Sequence, residues 1–157
     1  MTGVASAEPA EISDEAILAR FHNSTRKVPG SETVGFHLLA VRQAEMTVEV
    51  GFDARADRFA NPMGQIQGGY LCAMLDEAMS VSVLVTSKMT CVAPTVEMKT
   101  SFLRPAMPGP LRAVGRVVKW GRTIAFTEGE IYDAEGRLLA KATGTAIPTP
   151  FKNFKKD

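Results

Sequence analysis

Asn61-Pro-Met-Gly-Gln-Ile-Gln-Gly-Gly69 runs directly into the apolar stretch Tyr70 to Val85. Two adjacent glycines stand where a helix would begin, and seven residues past the second the acid Asp76 falls inside an otherwise oily segment. The first N–H groups of a helix have no internal acceptor and lie at the positive end of its dipole, so a bare helix start holds negative charge well. A carboxylate in an apolar helix is costly unless a partner or a reaction employs it. One short segment therefore carries an anion-stabilising backbone beside a candidate reactive acid.

The pattern around this segment sets the architecture. Leu71, Leu75, Ala78, Met79, Ser82 and Val85 recur at helical spacing, and much of the opposite face is also apolar, which predicts a long helix over about 69–89, starting at or near Gly68 and ending near Lys88. Upstream, Ser13 can cap a short helix over Asp14 to His22, Asn23 to Glu32 reads as loop, and Val34 to Val41 and Met46 to Phe52 read as strands. Downstream every element reads as strand: Pro94 to Phe102, Leu111 to Trp120, Thr123 to Tyr132 and Leu138 to Ile147. Turn chemistry separates them at Pro105 to Pro110, Gly121-Arg122 and Asp133 to Gly136. A single helix this apolar is best buried by a strongly curved antiparallel sheet wrapped round it, an α+β hotdog fold with a short N-terminal helix. Residues 1–12 read as a flexible leader, 13–148 as a single domain and 149–157 as a basic, loose tail.

Composition narrows the function. With 157 residues and a net charge of +1, the chain is long enough for one real core and carries no basic field for nucleic acid. Cys72 and Cys91 form no CxxC pair and, with His22 and His37, offer little from which to build a metal site; they read as small buried hydrophobes in a reduced, cytoplasmic protein. No apolar signal region is legible in Met1 to Ala10, and Asp76, Glu77, Ser80 and Ser82 interrupt the one long apolar run, so no membrane span is expected.

Four blocks in order carry a resemblance: Asn61 to Asp76, Pro94 to Pro105, Lys119-Trp-Gly-Arg-Thr-Ile-Ala-Phe126, and Gly136-Arg-Leu-Leu-Ala-Lys-Ala-Thr143. Together they resemble the hotdog-fold acyl-CoA thioesterases of the phenylacetate-degradation, PaaI-like type, over roughly Val34 to Ile147. That family usually has His-Gly-Gly before the helix; here it is Gln67-Gly68-Gly69. The resemblance implies an oxyanion donor at the Gly68 backbone N–H, a catalytic acid at Asp76, a water- or thioester-orienting residue at Asn61, and helper hydroxyls at Ser80 and Thr95. It also implies a homodimer or homotetramer, with Asp76 facing Gly68 of the other subunit. CoA enters as part of the substrate, with no separate cofactor, and its phosphates call for cations at a cleft mouth, for which Arg104, Lys119 and Arg122 stand at strand ends or turns.

The chemistry suits the residues. Thioester hydrolysis needs a held oxyanion and an activated nucleophile; a backbone N–H supplies the first and Asp76 the second, as general base for water or by direct attack to form an anhydride. A thiolate leaves easily, so Gln67 in place of histidine is compatible with the reaction. Each residue has a plainer rival. Asp76 as an interface acid, Gly68-Gly69 as a tight turn, Asn61 as the initiator of that turn, and Ser80 and Thr95 as packed hydroxyls all remain open. Two other functions fit the same fold: an acyl-thioester hydratase or dehydratase, which generally uses a histidine, and a non-catalytic acyl-CoA-binding protein, against which Asp76 argues. Tyr70, Met74, Met79, Phe102 and Phe126 suggest an apolar acyl pocket that aryl and medium alkyl groups both fit.

Overall fold

The computed structural model describes residues 11–151. Helix α1, Asp14–His22, begins as expected at Ser13, whose hydroxyl accepts the Ala16 N–H at 3.2 Å. A second short helix, α2, covers Pro29–Thr33, where the sequence reads as loop. Proline breaks a helix interior but suits its first turn, and here Pro29 stands at the helix start.

Strand β1, His37–Arg42, and strand β2, Thr47–Ala54, form a hairpin through a 3-10 turn at Gln43–Glu45. After a short α3 at Ala56–Phe59 comes the central helix α4, Gly68–Thr86. Strands β3 (Cys91–Val92), β4 (Thr95–Phe102), β5 (Gly109–Trp120), β6 (Ala125–Tyr132), β7 (Leu138–Ala146) and β8 (Thr149–Pro150) follow. Six strands make one antiparallel sheet in the order β1-β2-β5-β6-β7-β4. Register shifts at Leu38/Ala40, Thr95/Glu97, Val117/Lys119 and Ile131/Tyr132 mark bulges, which bend strands and let the sheet wrap α4. This is the hotdog architecture.

The helix meets the sheet on the face the sequence marks. Leu71, Leu75, Ala78, Met79, Ser82 and Val85 are all buried, joined by Met74, Val81 and Val83. By length and hydropathy α4 could cross a membrane, yet these side chains lie under the sheet. Contact is closest at Gly115 of β5, where an added Cβ would stand 2.1 Å from the Ala78 carbonyl oxygen. Gly129 of β6, the cross-strand partner of Gly115, lies against Leu75 and Met79. Met74 and Met79 are thus core residues, and Phe126 is exposed and paired with Lys119.

Two further details differ from the sequence reading. The central helix stops at Thr86, because Lys88 and Met89 take left-handed φ values of 53° and 64° and the Ser87 hydroxyl takes the Thr90 and Cys91 N–H groups. The stretch read as a loose tail contributes β8, which pairs with β3, and Phe151 N–H donates to Thr90 O at 3.1 Å. Residues 1–10 of the expected leader and 152–157 of the tail lie outside the described residues.

The two sheet edges are unlike. Edge strand β1 is flanked by α1: Ile17 is fully buried and the His22 ring pairs with Leu38 O at 2.9 Å. Edge strand β4 is exposed along most of its length, including Val96 at 58% and Phe102 at 54%.

Candidate active site

The loop before α4 is tied into the fold by its backbone. Asn61 N–H donates to Gln65 O (2.7 Å), Ile66 N–H to Ala106 O (2.8 Å) and Gln67 N–H to Phe59 O (2.8 Å). The Asn61 side-chain oxygen accepts from Met63 N–H at 2.9 Å and Gln65 N–H at 3.1 Å. Asn61 is therefore the organiser of the turn, and only its side-chain NH2 is left to meet a substrate.

Gln67 caps the helix. Its backbone is extended (φ −66°, ψ 135°) and its side-chain oxygen accepts the Gly69 N–H at 2.8 Å. This fixes the amide orientation, because an N–H must face the oxygen end; the Gln67 NH2 is left outward as a donor. Tyr70 N–H donates to Gln67 O at 3.0 Å. Among the described residues Gly68 N–H meets no acceptor. Of the first three amides of α4, two are satisfied locally and the one at Gly68 is free for an incoming oxygen.

From Gly68 the open stripe of α4 runs along the sheet-edge strand. Gly69, Ala73, Asp76 and Ser80 share a face at helical spacing and are exposed or half-buried, while the opposite side of the helix is core. Three contacts fasten β4 antiparallel to this stripe. The Phe102 ring tip lies against Gly68, the Cys72 thiol is 3.4 Å from the Thr100 hydroxyl, and the Thr95 hydroxyl donates to an Asp76 carboxylate oxygen at 2.7 Å. Asp76 and Thr95, 19 residues apart in sequence, are thus brought together. Ser80 lies one turn beyond Asp76, half-buried, without a hydrogen-bond partner among the described residues.

The neighbouring acid has another role. Glu77 is half-buried and accepts the Ser31 hydroxyl at 2.6 Å, which pins α2 to the central helix. Burial raises the Glu77 pKa above the usual carboxylate range, the Ser31 hydrogen bond pulls it down, and the Asp76 charge pushes it further up.

The three candidate CoA-binding cations do not converge in one chain. Arg104 lies two residues past the end of β4 and donates to Leu138 O at 2.8 Å. Lys119 and Arg122 stand at the β5–β6 turn, which by register lies at the Thr95 end of β4: Ala125 and Thr95 both pair with Ala146, whereas Phe102 pairs with Ala140. Among the described residues no three His, Cys, Asp or Glu side chains gather as a metal site.

The sequence profile of the thioesterase superfamily matches residues 63–140, from the loop before α4 into β7. A phenylacetic acid degradation-related protein of Ralstonia eutropha superposes on this fold with a TM-score of 0.75 and 34% identity, over 83% of this chain and 98% of that one. The chain belongs to the thioesterase superfamily. A thioesterase of Haemophilus influenzae shares the fold at a TM-score of 0.72 and 18% identity, covering 89% of this chain and 92% of its own. A Streptococcus mutans protein solved with acetyl-CoA bound matches at a TM-score of 0.66 and 25% identity, over 82% of this chain and 97% of that one.

For this superfamily member, sequence reasoning singled out both ends of the open stripe, Gly68 and Asp76. It did not place Phe102 at the helix start, nor join Ser31 to Glu77. Both contacts are long-range and carry no local pattern. In a single chain Gln67, Gly69 and Thr95 are exposed and Gly68 and Asp76 half-buried, so the site is an open shelf along β4.

Proposed function

We propose that the protein hydrolyses acyl-CoA thioesters at two equivalent sites shared between the subunits of a homodimer. The observation that carries this reading is the pairing of one uncommitted helix-start N–H at Gly68 with an oriented carboxylate, Asp76, at opposite ends of one exposed edge strand. A two-fold axis that pairs β4 with its copy runs the two strands antiparallel. The Phe102 end of one strand then meets the Thr95 end of the other. Gly68 of one subunit comes to face Asp76 of its partner, and the open edge strand is covered.

In this arrangement the thioester carbonyl oxygen takes the Gly68 N–H, with the outward Gln67 NH2 as a supporting donor. Asp76, held by the Thr95 hydroxyl, removes a proton from water as its oxygen bonds the carbonyl carbon; direct attack by the carboxylate, followed by hydrolysis of the anhydride, uses the same geometry. The tetrahedral intermediate collapses with cleavage of the C–S bond, CoA leaves as a thiolate and takes up a proton, and the free acid remains. One oriented oxyanion donor contributes about 3–4 kcal/mol of transition-state stabilisation. Lys119 and Arg122 at the partner's β5–β6 turn suit the phosphates of CoA. A reducing cytoplasm suits the two free thiols, Cys72 and Cys91.

The test is thiol release from a panel of acyl-CoAs, with wild type beside Asp76→Asn. The proposal expects turnover on part of the panel and a fall of about 10²- to 10⁴-fold in the variant, the range for a lost general base. Thiol release by the variant within about threefold of wild type would remove Asp76 from the mechanism.

A further inference from the structure

The geometry points to Phe102 as the residue that sorts acyl groups by substitution at the carbon next to the carbonyl. The inference rests on the acyl-CoA hydrolase reading above and adds a substrate class to it: acyl groups with an unbranched α-carbon.

Phe102 approaches the helix start tip-first. Its Cζ lies 2.9 Å, Cε1 3.2 Å and Cε2 3.5 Å from where a Cβ on Gly68 would stand. The backbone that carries the ring is anchored. Phe102 pairs with Ala140, and the next two N–H groups, of Leu103 and Arg104, both donate to Leu139 O at 2.8 and 3.1 Å. Yet Phe102 is 54% exposed, so a bound molecule can touch it. Leu103 beside it, and Met63 and Met107 on the two loops joined by the Ile66–Ala106 hydrogen bond, are exposed as well. Water-facing apolar side chains collected at one end of a helix suit the acyl group rather than the polar pantetheine of the substrate.

The Gly68 N–H sets the depth of entry. A carbonyl oxygen accepting it at about 2.9 Å puts the carbonyl carbon about 4 Å from the nitrogen and the α-carbon one bond further out. With the acyl arm on the Phe102 side of the helix start, the α-carbon at that depth meets the tip of the ring. A CH2 group passes edge-on beside the ring. One methyl branch on the α-carbon meets the ring, and two cannot both avoid it. The strand anchoring fixes the Cα from which the ring projects, so a branched group enters only by turning the ring aside.

The experiment compares kcat/KM for n-butyryl-, isobutyryl- and pivaloyl-CoA in wild type, Phe102→Leu and Phe102→Ala, with thermal melts confirming the folds. A methyl in a tight apolar pocket alters kcat/KM by about 10- to 200-fold. We expect wild type to prefer butyryl over isobutyryl by at least about tenfold, and pivaloyl to be slower still. Phe102→Ala should compress the butyryl-to-isobutyryl ratio to below about threefold, with Phe102→Leu between. Binding of the same thioesters to Asp76→Asn, with and without Phe102→Ala, is measured by calorimetry. If wild type releases no thiol from any thioester, the hydrolase reading fails, and this binding arm alone decides whether Phe102 sets the preference. An unchanged ratio in folded Phe102→Ala, or equal affinities for branched and unbranched thioesters in the binding arm, overturns the inference.

Discussion

Gly115→Ala tests how the fold holds α4, and with it Asp76, against the sheet. The added Cβ would lie 2.1 Å from Ala78 O, 2.4 Å from Ala78 C and 2.9 Å from Met79 N, all backbone atoms of the central helix. Carbon contacts settle near about 3.5 Å, so helix and strand must separate by roughly 1 Å. Overpacking of a core costs about 1–3 kcal/mol when side chains can adjust, and more when they cannot. Here the obstacle is main chain, so about 3 kcal/mol or more is expected, or about 6–12 °C in Tm for a chain of this size. Gly129→Ala, directly across the strand pair, is the control. Its Cβ would meet Leu75 Cδ2 and Met79 Cγ, each at 3.1 Å, and these are side-chain atoms that can move. That substitution should cost about 1 kcal/mol. Urea unfolding of both variants measures the difference. Equal stabilities, or a larger loss at Gly129 than at Gly115, would refute the reasoning that the helix backbone rests on Gly115.

Thr95→Val keeps shape but removes the 2.7 Å hydrogen bond to Asp76; kcat should fall about 10-fold with little change in melting temperature, read by thiol release and a thermal melt. Gln67→Ala loses the cap on Gly69 N–H, which should cost about 0.5–1 kcal/mol in stability and about 1–2 kcal/mol in kcat/KM; a loss as complete as that of Asp76→Asn, with the fold intact, would make the Gln67 side chain a primary catalytic group. Glu77→Gln tests the buried acid. Its folded pKa is raised by burial, so its contribution is fully present at acid pH and is lost as pH rises from the ordinary glutamate range through the raised value. The variant should therefore gain stability relative to wild type between pH 4 and pH 7, in melts across that interval, and a constant difference would show that burial does not penalise the charge.

The central helix and the succession of strands along the chain were legible because both are written in local periodicity; the order of those strands in the sheet is not. Every residue picked for the inner face of α4, from Leu71 to Val85, is buried. The C-terminal boundary was not, since the apolar period continues to Met89 while two left-handed residues, Lys88 and Met89, stop the helix at Thr86. Pro29 signals a break and a helix start with the same residue, and the Ser31–Glu77 bond that holds α2 in place lies 46 residues apart in sequence. The pairing of Thr149-Pro150 with Cys91-Val92 is equally non-local. In the site, Gly68 and Asp76 stood out as a glycine-bare helix start and an acid in apolar surroundings. Sheet register decides that Arg104 lies at one end of β4 and Lys119 and Arg122 at the other, and no spacing in the sequence encodes it.

Subunit mixing tests the shared site most directly. Asp76→Asn removes the carboxylate, and Gly68→Pro removes the uncommitted N–H at a first helix position whose backbone suits proline, its ring turning aside the Phe102 tip of that same, disabled site. Each homodimer should be inactive in thiol release. When the two variants are co-expressed and the mixed dimer is isolated by differential tags, one of its two sites joins an intact Gly68 to an intact Asp76. The account predicts that the mixed dimer recovers about half of wild-type activity per dimer. A mixed dimer as inactive as its two parents, with a folded and dimeric mixture, would contradict it.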